Sequence, residues 1–99
     1  MQSFYPVSFE REMACTRAEW LRWLPAAIGE HPWQASDDGA TVLIGPGALT
    51  LRWQAGPPRA IGLIRLPCWR VRFDFDDLNT AARLSFMTRF DLYMQRGGG

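Results

Sequence analysis

Residues 60–95 read AIGLIRLPCWRVRFDFDDLNTAARLSFMTRFDLYMQ, and a change of period inside this stretch sets the fold class. From Ala60 to Phe75 the period is two. Ile61, Leu63, Trp69, Val71, Phe73 and Phe75 share one parity, and Arg70, Arg72 and Asp74 share the other, as in a strand with one apolar face. Pro67 interrupts the run. Proline cannot donate to a ladder, so the stretch is expected to be one edge strand with a bulge, or two strands turning near Leu66-Pro67-Cys68. From Leu78 to about Gln95 the period becomes helical. Ala82, Phe86, Phe90 and Tyr93 recur at three and four residues, Met87 and Met94 widen the stripe, and Asp76 or Asp77 is the expected N-cap. Arg96 then complements the dipole of the helix end, and Gly97, Gly98 and Gly99 read as a flexible tail.

Upstream, the pattern is a series of short apolar runs separated by turn residues. Leu49, Leu51 and Trp53 alternate with Thr50, Arg52 and Gln54 until Gly56-Pro57-Pro58 breaks the strand. Gly45-Pro46-Gly47 makes the preceding reversal. Asp38-Gly39, between Trp33–Ser36 and Ala40–Ile44, suits a tight hairpin whose central residues have positive φ. Further back, Thr16-Arg17-Ala18-Glu19 forms a capping box, and Trp20, Trp23, Leu24, Ala27 and Ile28 lie along one helical stripe that ends before Gly29. Pro25 falls inside that stripe, so a kink or two short helices meeting near Leu24 are expected. Between Tyr5 and Met13, Val7, Phe9 and Met13 alternate with Ser8, Glu10 and Glu12, the period of a half-buried strand.

The expected fold is α+β: strand, helix, an antiparallel meander of four to five strands, then a long C-terminal helix on which a curved sheet packs. This order resembles, in miniature, the helix-grip domains that enclose apolar ligands, a resemblance of element order alone. At 99 residues the chain reads as a single domain over residues 1–96 with the tail at 97–99. A content of 47% hydrophobic residues, with five tryptophans, is that of a folded globular protein with an aromatic-rich core.

Eleven basic and ten acidic groups leave a net charge of +1, which provides no field to collect nucleic acid or an anionic membrane. No run approaches 18 apolar residues, and residues 1–13 lack a signal-peptide pattern, so a soluble cytoplasmic protein is expected. Cys15 and Cys68 match no metal-ligand spacing and read as small buried hydrophobes.

His31 is the only histidine, which removes the usual triad, dyad and multi-histidine metal constellations; beside the first helix it reads as structural. Glu10 with Glu12 reads as a solvated strand face, Asp37 with Asp38 as a turn, and Asp76 with Asp77 as capping residues rather than a cation loop. The glycine runs do not match a phosphate-cradling loop. No catalytic residue, cofactor site or metal site is therefore expected, and the protein is not expected to be an enzyme.

Two surfaces remain. One is an anion-binding face built from Arg52, Arg65, Arg70 and Arg72, since guanidinium groups match phosphate and carboxylate geometry. The other is aromatic: Trp20, Trp23, Trp53, Phe86, Phe90 and Tyr93 would form a ligand or partner surface. Two functions follow from that second surface. One is a non-catalytic interaction module that binds a protein partner or associates with itself, including as a homodimer. The alternative is a carrier holding a small apolar ligand between the sheet and the C-terminal helix.

Overall fold

The structure, a computed structural model, describes residues 4–98, with side chains through Gln95. Alternation beginning at Ser8 gives β1 (Ser8–Met13). The capping box then starts α1 (Arg17–Ile28): the Thr16 hydroxyl accepts the Glu19 amide at 3.1 Å, and the Glu19 carboxylate accepts the Thr16 amide at 2.9 Å. Pro25 does not divide this helix. α1 runs unbroken for 12 residues, with Pro25 on its exposed side, and closes at Gly29, whose φ of 78° lets its amide reach the Pro25 carbonyl.

Two short reversals then build the middle of the sheet. β2 (Trp33–Ala35) pairs with β3 (Gly39–Ile44), and β3 pairs with β4 (Gly47–Ala55) across the two-residue turn Gly45-Pro46, in which Gly45 supplies a φ of 52°. At Asp38-Gly39 neither residue has positive φ. Glycine is needed at position 39 for another reason, because a Cβ there would lie 2.7 Å from the Leu51 carbonyl oxygen.

The stretch around Pro67 differs from both expected forms. It contains a separate hairpin, β5 (Arg59–Ile61) and β6 (Ile64–Leu66), which turns at Gly62 with φ 60°, followed by a central strand, β7 (Trp69–Asp76). Pro67 lies between β6 and β7, outside any ladder.

All five strands of the main sheet are antiparallel, in the order β1-β7-β4-β3-β2. β1 and β2, consecutive in sequence, form opposite edges, and α1 crosses between them. The last helix, α2 (Thr80–Gly98), begins two residues later than its apolar stripe suggests. Asn79, rather than Asp76 or Asp77, caps it by accepting the Ala82 amide at 2.8 Å. Asp77 instead turns the chain with a φ of 55°. α2 continues through two of the glycines read as tail, and Gly99 lies outside the described residues.

Both helices cover one face of the sheet. Trp20 of α1 meets Trp53 of β4 at 5.6 Å and Phe90 of α2 at 6.3 Å between ring centroids; Phe90 stands edge-on to Phe73 at 5.5 Å, and Phe86 to Phe75 at 6.3 Å. The inward parity of β7 and β4, namely Val71, Phe73, Phe75, Leu49, Leu51 and Trp53, is buried against them. The molecule measures 47 × 29 × 22 Å, and among the described residues no helix is long and apolar enough to cross a membrane.

Candidate functional site

The aromatic residues expected to form a ligand or partner surface lie mostly inside. Trp20, Trp53, Phe86 and Phe90 are buried in the core, and Trp23 and Tyr93 are half-buried against it. Phe86 and Phe90 stack at 5.8 Å, so the rings fill the space between the sheet and α2 with one another. Covered side chains have no surface left to offer a partner.

Of the four arginines expected to form one face, the register unites three. On the helix-free side of the sheet, Glu10, Arg72 and Arg52 form one cross-strand row, Glu12, Arg70 and Gln54 a second, and Ser8, Asp74 and Thr50 a third. Arg65 is separate, because it lies on β6 in the hairpin. From these rows Glu10, Arg72, Arg52, Arg70, Gln54 and Thr50 line an open groove of about 1000 Å3 whose rim is the loop from Ser36 to Asp38. That rim is firmly held: the Trp53 indole and Arg17 both donate to the Asp37 carbonyl, at 3.1 and 3.0 Å, and the Trp53 amide donates to the Asp38 carbonyl at 2.9 Å. Beside the groove Asp74 accepts from Ser8 at 2.6 Å and from Arg72 at 2.9 Å, and these two contacts hold its carboxyl below the ordinary carboxylate range. Among the described residues no side-chain hydrogen bond or ion pair occupies Arg52 or Arg70.

The β5–β6 hairpin stands off the main sheet as a two-stranded unit. Its register puts Ile61, Ile64 and Leu66 on one face with Arg59, and Ala60 and Arg65 on the other. Leu63, at the turn, is 104% exposed, with Ile61 at 58% and Ile64 at 62%. By parity alone Ile61 and Leu63 share the side of the core residues of β7. The turn at Gly62 breaks that continuity and leaves both outside.

Two polar clusters were not visible in the sequence. Arg11 has the inward parity of Phe9 and Met13, so it does not salt the outer face beside Glu10 and Glu12. It pairs with Asp91 of α2, which also accepts the Tyr5 hydroxyl. Burial acts against the charge of Arg11, but the contacts with Asp91 and Tyr5 outweigh it and its pKa is raised. Arg83, only 7% exposed, donates to the carbonyls of Tyr5 and Leu78 at 2.9 and 2.7 Å and ties the N-terminal segment to the start of α2. Both clusters join residues about eighty positions apart, a separation no local pattern reports.

His31 is half-buried with its ring 5.6 Å from that of Phe86, beside the end of α1. Cys15 and Cys68 are both buried and free, and burial pushes the Cys15 thiol up to about 11. Among the described residues no three His, Cys, Asp or Glu side chains gather as metal ligands. No family model, curated protein or solved structure matches the chain.

Proposed function

We propose that the protein is a non-catalytic interaction module of the cytoplasm that joins a second copy of itself through the β5–β6 hairpin. One observation carries this reading: Leu63, Ile61 and Ile64 are presented to solvent together, on a unit with no core of its own. A two-stranded hairpin is marginal in water without a layer against its apolar face. The face formed by Ile61, Ile64 and Leu66 is apolar except for Arg59, which lies 3.7 Å from Glu12, so a two-fold axis lays the same face of another hairpin upon it, an isologous contact that needs no second kind of surface. With a net charge of +1, two copies meet without long-range repulsion. The patch is small, so the affinity belongs to the weak, transient class. Cys15 and Cys68, kept as free buried thiols, suit a reducing compartment.

Sedimentation velocity on the full chain between roughly 1 and 200 µM tests this, a range chosen around micromolar dissociation. The expected result is a reversible monomer–dimer equilibrium that the exposed double substitution Ile61→Arg/Ile64→Arg abolishes without lowering the unfolding temperature. A wild-type chain that stays monomeric throughout, or a dimer indifferent to these substitutions, overturns the reading.

A further inference from the structure

The helix-free face of the sheet carries an unusual juxtaposition. Arg52 of β4 and Arg72 of β7 are direct cross-strand neighbours in the middle of the sheet, an arrangement of like charges that destabilises a ladder. Arg72 is compensated by Asp74 at 2.9 Å on its own strand and by Glu10 opposite it on β1. Glu12, which faces Arg70, leans to Arg59 at 3.7 Å. Arg52 feels Asp74 only at a distance: it has no hydrogen-bonded or ion-paired acid and no acid directly opposite it. Its neighbour on the other side is Gly39, where the approach of the Leu51 carbonyl forbids a side chain, so the floor beside it is bare backbone. Around this point stand neutral hydrogen-bonding groups, Thr50 and Gln54 of β4 and Thr41 of β3, and the rim loop whose backbone Trp53 and Arg17 fix.

We propose that this groove binds a small hydroxylated anion, a phosphate ester of sugar size. Its phosphate lies between Arg52 and Arg70, and its hydroxyls meet Thr50, Gln54 and the Ser36–Asp38 rim. Two guanidinium groups that no side-chain hydrogen bond or ion pair engages among the described residues suit the oxygens of one phosphate. The groove volume of about 1000 Å3 leaves room for the rest of the molecule. A polyanion fits less well. Glu10 and Glu12 border the strip on one side and Asp37 and Asp38 on the other, so successive phosphates would meet carboxylates. The outward positions of β1, β4 and β7 carry no aromatic ring on which a base could stack, and the two tryptophans at the groove, Trp53 and Trp69, have the inward parity and pack in or against the core. This site lies on a different part of the molecule from the hairpin and does not depend on self-association.

The test is a titration of the full chain with ribose 5-phosphate, ribose, inorganic phosphate and a short single-stranded oligonucleotide, followed by NMR at the arginine Nε–H signals. Ribose 5-phosphate is expected to saturate below about 1 mM with shifts at Arg52 and Arg70, inorganic phosphate to bind more weakly, and ribose alone to cause no shift. Arg52→Gln, and independently Arg70→Gln, should weaken binding roughly tenfold while the exposed hairpin variant Arg65→Gln leaves it unchanged. Absence of saturation, equal loss from Arg65→Gln, inorganic phosphate binding as tightly as the ester, or preference for the oligonucleotide each overturns the proposal.

Discussion

At the level of single residues, what the sequence conveys depends on how far a side chain's partner lies along the chain. Thr16 and Glu19 are three positions apart and their mutual capping is written in the local pattern. Arg83 reads as one more surface cation on a helix, yet it is buried and holds two carbonyls, one of them 78 positions away. Cys15 lies between these cases: its burial is legible from its type, its chemistry only from its surroundings. Burial raises its pKa from 9.0 to about 11, so the folded state favours the neutral thiol over what the unfolded chain permits. A group raised in this way contributes stability that is fully present below about pH 9 and is lost as pH rises toward 11. Unfolding temperatures recorded from pH 8 to 10.5 should therefore fall more steeply for the wild type than for Cys15→Ala. Identical slopes would show that the thiol is not held neutral.

Among the elements, regular period was a sound guide and punctuation a poorer one. β4, β7 and the stripe of α2 follow their alternation or three-and-four spacing because each buries one face against the same core. The hairpin β5–β6 was hidden because its turn, Gly62-Leu63, pairs one glycine with a large apolar residue, so the run of apolar parity continued straight through it. That Arg52, Arg70 and Arg72 lie on the polar parity of their strands was legible, but whether they converge, and beside which acids, depends on register, and register is a property of pairs of strands. Pro25 gave the opposite error. It suggested a break, but the packing of Trp20, Leu24, Ala27 and Ile28 keeps α1 whole around it. An interior proline costs a helix about 3 kcal/mol relative to alanine. Less rigidity in the unfolded chain returns about 0.4–1 kcal/mol of that. Pro25→Ala is thus expected to stabilise the protein by about 2 kcal/mol, read as a higher denaturant midpoint at unchanged m-value. A lower midpoint would mean that the ring makes contacts α1 depends on.

For the whole molecule, the main sheet and the hairpin are separable. The Gly56 amide donates to the Cys68 carbonyl at 2.9 Å, so the chain leaves and re-enters the sheet at one place. Replacing residues 57–67 by a two-residue turn should change the unfolding free energy by less than about 1 kcal/mol, because the excised strands share no core with the rest. Calorimetry measures this, and a large loss of stability would show that the hairpin is part of the fold. The other large-scale feature is the pairing of β1 with β7, Ser8 opposite Asp74 through Met13 opposite Trp69. During synthesis β1 leaves the ribosome first, and its partner follows only after about sixty more residues have been added. At about 5–20 residues per second that is roughly 3–12 seconds in which β1 has no ladder to join. The charges of Glu10, Arg11 and Glu12, which interrupt its apolar pattern, make the waiting strand a poor template for pairing with another nascent chain.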